Sequence, residues 1–313
     1  MGKHVVVGAG TIGAGTARRL VAAGHEVAVV SRRGTPVEGA AGIAADASDG
    51  PRLAEIAAGA DALYNCANPQ QYFAWAKVWP PIANALLHAA EASGAVLVTM
   101  SNLYGYGQIS EPMREDTPFR PTTVKGWIRA RMWRDAKELH DAGRIRMTEA
   151  RASDYVGGRE MSVLDTVVLS RIAAGGRPFW LGDPDAPHSW TYVDDAAATL
   201  VAIATDERAW GRPWHVPTPP PISAREAAGR AAELVGARKP KLTRVPYAAF
   251  WATGVFNRKL RAMREMHYQL TRPFELDSRL TEQTFGLSPT PADDALRAAT
   301  LAYRPVEAAT AHA

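Results

Sequence analysis

Short apolar runs and longer amphipathic stretches take turns along the first half of the chain. His4-Val5-Val6-Val7 reads as a strand, Ala14 to Ala23 as a helix and Glu26 to Val30 as a second strand. Gly42 to Asp46 continues as a short third strand, Pro51 to Ala58 as a helix and Asp61 to Ala67 as a fourth strand. A long helical pattern covers much of Phe73 to Ser93. Pro80-Pro81 predicts a break in it, because an interior proline removes a backbone donor and crowds the preceding turn. Ala95 to Ser101 is a fifth strand, Thr122 to Ala142 a helix and Arg144 to Ala152 a sixth strand. Strands separated by helices predict an α/β fold with a parallel, doubly wound sheet of the Rossmann type. After Asp154 the pattern loosens, and loops rich in Gly, Pro and Trp (175–190 and 210–221) separate the helices. A smaller C-terminal substrate-binding lobe is expected there. Pro217 to Pro221 is expected to end a strand and to precede a helix capped by Ser223.

Between the first strand and the first helix lies Gly8-Ala9-Gly10-Thr11-Ile12-Gly13. In a dinucleotide-binding βαβ unit the first glycine makes the tight turn, the second admits the pyrophosphate and the third lets helix and strand pack. The free N–H groups at the helix start then face the phosphates. Residues 1–153 are therefore expected to form an NAD(P)-binding domain, and 154–313 mainly the substrate lobe, with segments returning to the sheet. The second strand runs into Ser31-Arg32-Arg33-Gly34, where an NAD site would carry an acidic residue. Two guanidinium groups and a hydroxyl suit a 2′-phosphate, so NADP(H) is expected over NAD(H).

Composition narrows the class without changing it. With 313 residues, 47% hydrophobic and 22% charged, the chain is expected to be globular. Its formal net charge of +4 is mildly basic, with clusters at Arg258-Lys259-Arg261-Arg264 and at Arg129-Arg131-Arg134-Lys137. These read as solvated faces, and no nucleic-acid partner is expected. Cys66 is the single cysteine, which excludes a disulfide framework and a cysteine-rich metal site, and no metal is expected. It reads as a core residue rather than a nucleophile. The N-terminus enters the first strand without a signal peptide's charged and apolar regions, and no stretch approaches membrane-spanning length. After Met1-Gly2, Val6 stands where myristoylation expects Ser or Thr. A cytoplasmic protein without a membrane partner is expected, and a homodimer is left open.

By these features the chain resembles the extended short-chain dehydrogenase/reductase superfamily, in particular its NAD-dependent epimerase/dehydratase-like members, over nearly its whole length. Asp46-Ala47 with Asp49 resembles the segment beside the adenine ring, and Asn65-Cys66-Ala67-Asn68 the place where the fourth strand passes the cofactor. Val98 to Gly107 resembles the fifth-strand motif ending in Tyr-Gly, and the segments at Glu111-Pro112 and Glu115 to Pro118 the acidic-proline stretch after it. Arg151 to Gly157 is similar to the start of the substrate lobe, and Thr191 to Asp195 to the Val-Asp-Asp turn into a helix. Leu276-Asp277, Phe285-Gly286-Leu287 and Pro291 resemble the last helix-loop-helix. The glycine motif is one residue shorter than the usual extended form, which suggests an atypical branch. The resemblance implies an oxidoreductase acting on a carbonyl or alcohol of a small or medium-sized metabolite.

The catalytic set departs from the family's pattern. There a Ser or Thr follows the fifth strand, and Tyr and Lys four residues apart share one face of the next helix. The lysine binds the nicotinamide ribose and lowers the tyrosine pKa, so that the phenol exchanges a proton with substrate as hydride moves. Aligning Tyr106-Gly107 puts Asn102 at the Ser position, and aligning Pro121 and Gly126 puts Lys125 at the Tyr position and Arg129 at the Lys position. No lysine of the chain has a tyrosine four residues before it. Arg129 can keep the ribose-binding part of the role but, always charged, not an acid-base part. Lys125, beside Arg129, is one expected proton carrier, with a depressed pKa. Tyr104, Tyr155 and Asp154 are the other expected proton sources. His188 is a candidate substrate contact, and Trp127, Trp133, Trp180 and Trp190 are candidate lining, against the plainer expectation of packing. The alternative function is a cofactor-binding protein without net redox chemistry, namely a regulator, lyase, cyclase or isomerase.

Overall fold

The computed structural model describes residues 1–69, 71–159 and 161–304. Six strands build most of the central sheet: β1 (Lys3–Val7), β2 (Glu26–Ser31), β3 (Ala41–Ala44), β4 (Ala62–Asn65), β5 (Val96–Asn102) and β6 (Met147–Ala152). They lie parallel in the order β6-β5-β4-β1-β2-β3, and Pro213–His215 joins as a seventh strand beside β6. The order reverses beside β1, so the crevice beyond the C-terminal ends of β1 and β4 is where a doubly wound sheet takes its ligand. The fold is thus the doubly wound α/β architecture that the alternating pattern predicts, with one strand returning from the second half.

Side-chain alternation fixes the layers. Val5 and Val7 of β1 pack with Leu63, Leu97, Leu53, Ile56, Trp75 and Leu86 on one face, under α2 (Gly50–Ala57), α3 (Trp75–Ser93) and α4 (Val124–Asp141). Val6 points the other way into Val29, Val98, Leu20 and Leu200, under α1 (Thr11–Ala22) and a helix from the second half. Both faces are covered, as an all-parallel sheet requires. The expected break in α3 does not occur. Pro80 and Pro81 sit on its solvent face, and the carbonyls they cannot serve belong to Ala76 and Lys77, which are exposed rather than buried without a donor. Trp75, Trp79 and Ile82 hold the opposite face in the core, so packing outweighs the two missing bonds.

The second half forms a small lobe. A π-helical turn (Asp165–Leu169) runs into α5 (Ser170–Ala173), and further helices are α6 (Val193–Thr205), α7 (Ala224–Leu234), α8 (Tyr247–Phe256), α9 (Arg258–Met263), α10 (Arg279–Phe285) and α11 (Ala292–Leu301). Helix α6 returns to the sheet and packs on α1, the Ala197 methyl group lying 3.2 Å from the point where a Cβ on Gly15 would stand. Leu164, Val168, Trp180, Trp190, Ala227, Ala231 and Leu296 form the lobe's own core. Short strand pairs, Asp154–Val156 with Trp190–Tyr192 and Pro187–His188 with Ile222–Ser223, stitch its loops together. Ser223 caps α7 as expected, its hydroxyl accepting from the Glu226 N–H at 3.1 Å. Trp180 and Trp190 are core residues, whereas Trp127 is 55% exposed.

Candidate active site

The glycine turn divides its work among three positions. Gly8 has φ +112°, and a Cβ there would stand 2.7 Å from the Cys66 backbone. A Cβ on Gly13 would stand 1.9 Å from the Gly8 carbonyl oxygen. These two glycines are therefore required by the chain itself. A Cβ on Gly10 would meet nothing within 4 Å. Gly10 is also the N-cap of α1, with no side chain capping it and no acidic residue in the first turn. The start of α1 is thus uncapped by any side chain at the positive end of the helix dipole, where an anion is stabilised. The Thr11 hydroxyl donates to the Gly158 carbonyl at 3.4 Å, while Ile12 turns into the core.

Beside it, Ser31 Oγ accepts from the Thr35 N–H at 2.9 Å, and the Arg32 and Arg33 side chains are exposed at the end of β2. Asp46 accepts from the Ser48 N–H and hydroxyl, and these bonds hold its carboxyl below the usual range, with a smaller contribution from Arg32. Ala47 packs against the core. Past β4, Asn65 Oδ1 accepts from the Ala67 N–H at 3.3 Å, and Asn68 is exposed. Burial pushes the Cys66 thiol up to about 12, so it is not a nucleophile. These residues stand at or follow the C-terminal ends of β2, β3 and β4, which with β1 and its glycine turn are neighbours in the sheet.

The residues at the family's catalytic positions point to separate partners. Asn102 Oδ1 accepts from the Tyr104 N–H at 3.2 Å and shapes the turn after β5. Lys125 is 2% exposed on the first turn of α4, and its ammonium donates to Glu265 and, at 2.8 Å, to the Ala262 carbonyl. Glu265 also accepts from the Val124 N–H at 2.7 Å. Arg129, one turn further and 5% exposed, lays its guanidinium 4.3 Å from the Trp79 ring and 5.0 Å from the Trp75 ring. Its Nε and Nη1 have no hydrogen-bond partner among the described residues. The Tyr104 and Tyr72 hydroxyls share a hydrogen bond of 2.9 Å. Burial pushes both phenols up, as it does Tyr155, where the Arg129 charge opposes it.

Other expected site residues turn elsewhere. His188 is not a free loop histidine: it is 3% exposed, stacks on Trp190 at 4.0 Å and lies 3.2 Å from the Asp154 carboxylate. Asp154 is accordingly shared with a core contact. Tyr106 is wholly buried in a chain of bonds that no spacing announces. Arg151 donates to Glu149 at 2.7 Å and to the Tyr106 hydroxyl at 2.8 Å, and Tyr106 lies 2.7 Å from His215 Nε2. His215 Nδ1 lies 2.8 Å from the Asp277 carbonyl, which can only accept, so Nδ1 carries the proton and Tyr106 donates to Nε2. Tyr72 and Glu265 belong to no sequence motif, and the motifs that hold Tyr106 and Arg151 do not announce that the two are bonded. Glu265 lies 140 residues from Lys125 and adjoins a basic run that reads as surface. Among the described residues no cluster of His, Cys, Asp or Glu could hold a metal ion.

A doubly wound sheet with a glycine cradle at the switch point and an uncapped helix start beside it defines a dinucleotide-binding protein. Residues 4–216 match the model of the NAD dependent epimerase/dehydratase family, and the chain belongs to that family. No curated protein matches it. Among solved structures it is similar to dTDP-glucose 4,6-dehydratase from Bacillus anthracis in complex with NAD, at 13% identity and TM-score 0.77 over 97% of this chain and 96% of that one. It is similar to UDP-glucose 4-epimerase from Thermotoga maritima with UDP-glucose, at 15% identity and TM-score 0.78 over 96% and 97%. The Thermus thermophilus UDP-glucose 4-epimerase complex with NAD gives 19% identity and TM-score 0.77 over 97% and 99%. At these identities the likeness is one of fold.

Proposed function

We propose that the protein is an NADP(H)-dependent oxidoreductase of this family, acting on a carbonyl or alcohol of a small or medium-sized metabolite. Arg129 carries the reading. A buried guanidinium with two unpartnered nitrogens is costly unless ligand oxygens complete it. It stands where the family resemblance puts the ribose-binding lysine, and ribose hydroxyls are acceptors of the required kind. The open space at Gly10 fits a pyrophosphate, and Ser31, Arg32 and Arg33 favour a 2′-phosphate. The nicotinamide cofactor, when bound, supplies or takes up the hydride. The proton falls to the chain's own side chains. Tyr155 is half-buried and has the Arg129 charge to oppose its burial, whereas Tyr104 is deeper and tied to Tyr72. Tyr155 is therefore assigned the proton, Arg129 the ribose and the support of the phenolate, and Asn102 and Tyr104 the wall of the site. Lys125, with Glu265 and the Ala262 carbonyl as acceptors, anchors α9 and the residues after it instead of carrying the proton.

Calorimetric titration of NADPH and NADH comes first, followed by NADPH oxidation with a panel of aldehydes, ketones and sugar nucleotides. NADPH binds more tightly than NADH, and Arg32→Ala removes about 1.5 to 3 kcal/mol of that preference. Tyr155→Phe abolishes turnover with cofactor binding kept, and Lys125→Met retains turnover. Equal wild-type affinity for the two cofactors overturns the NADP(H) assignment, and activity lost in Lys125→Met but kept in Tyr155→Phe returns the proton to Lys125. Bound cofactor without turnover on any substrate supports the second reading, a regulator, lyase, cyclase or isomerase, which the missing Tyr and Lys favour.

A further inference from the structure

Helix α8 is apolar on the side that faces solvent. Tyr247, Trp251 and Val255, spaced four apart and so on one face, are 50%, 50% and 49% exposed. The helix is held from behind by Phe250, which is buried and stacks on His267 at 5.4 Å. Residues 234–264 contain eight Lys and Arg and no Asp or Glu. Without those eight the formal charge of the chain would be −4 instead of +4. Arg238, Lys239, Lys241 and Arg244 precede α8, Arg258 and Arg261 follow it, and all six are exposed.

We infer that this segment docks the protein on an anionic lipid surface. Ten residues of helix extend about 15 Å, half of a bilayer's hydrocarbon thickness, so α8 lies in the interface and does not span it. Trp and Tyr with an aliphatic residue on one face suit the headgroup boundary, and cations on both flanks meet anionic headgroups. A second copy of the chain fits poorly, since an isologous contact would press these six exposed cations against their six counterparts. A nucleic acid would pair the cations but leave Val255 and the alanines of α8 uncovered.

Co-sedimentation of the full chain with vesicles tests the inference, using phosphatidylcholine alone and an equimolar mixture with phosphatidylglycerol. Binding is expected to the mixed vesicles only and to weaken as salt rises. The pair Trp251→Ser and Val255→Ser, and separately the loop triple Arg238→Glu, Lys239→Glu and Lys241→Glu, should each weaken binding by about tenfold or more. The loop triple leaves α8 intact, so it serves even if the helix variant misfolds, and NADPH affinity should be unchanged in it. No binding to the mixed vesicles, or equal binding by wild type and loop triple, overturns the inference. So does a dimer in sedimentation velocity that Trp251→Ser dissociates, or a preference for duplex DNA over the mixed vesicles.

Discussion

At the scale of single residues, the three glycines of the phosphate turn look equivalent in the sequence and are not. Gly8 and Gly13 are held by contacts of the chain with itself, whereas Gly10 borders only open space. Gly10→Val should therefore leave the circular dichroism spectrum of a folded protein while abolishing cofactor retention. Gly13→Val should lower the unfolding midpoint as well, because its Cβ would overlap the Gly8 carbonyl. Normal cofactor affinity in Gly10→Val would reduce the hexapeptide to an ordinary turn. The hexapeptide was legible as the turn between β1 and α1, because glycine spacing is a local property. Which glycine borders open space was not, because that depends on what approaches each one from other strands.

At the scale of elements, α4 and the segment after α9 are joined through a buried ion pair. The Lys125 side chain is 3% exposed and that of Glu265 28%. Removing one partner of such a pair strands the other, and the more buried member suffers more. Glu265→Gln should thus destabilise by about 2 to 4 kcal/mol, more than Lys125→Met, and the double variant should resemble Lys125→Met alone. Urea unfolding of the three variants measures this. Equal losses from the two single variants would show that the pair is not an anchor. Lys125 illustrates the limit of motif alignment. Its place on α4 follows from Gly126 and Pro121, but its chemistry follows from Glu265, which folding alone brings beside it.

At the scale of the whole molecule, buried ionisable groups set the acid limit of the fold. Burial is the largest cause that lowers His215 from 6.5 to about 3 and His4 to about 4, helped by Arg151 and His25 respectively. Depressed histidines bind protons more readily in the unfolded chain, so their contribution is complete above about pH 6.5 and is lost as pH falls toward 3. By pH 4 each costs the folded state on the order of 3 kcal/mol. Asp165 works in the opposite sense. Burial raises it to about 6, against the pull of two backbone N–H donors, so the folded state regains on the order of 2 kcal/mol as pH falls from 6 to 4. The histidines outweigh it, and urea unfolding should show a net loss of stability between pH 7 and pH 4. The double variant His4→Asn, His215→Asn should flatten that slope. A wild-type stability independent of pH over this range would mean that neither histidine is held neutral in the fold.

The alternation of strand and helix, the glycine turn and the family were all readable from residues 4 to 216, because each rests on periodicity or on neighbours a few positions apart. The long helix with Pro80-Pro81 misled for the same reason: a local rule predicts a break, and the exposure of that face, a tertiary fact, removes its cost. The return of Pro213–His215 to the sheet, the directed chain from Arg151 through Tyr106 to His215, and the pairing of Lys125 with Glu265 all join residues separated by tens of positions or more. A chain order carries no record of such distances. Charge and hydropathy mark a residue as able to pair or to pack, and only the closing of the sheet and the second half of the chain on each other decides which partner it meets.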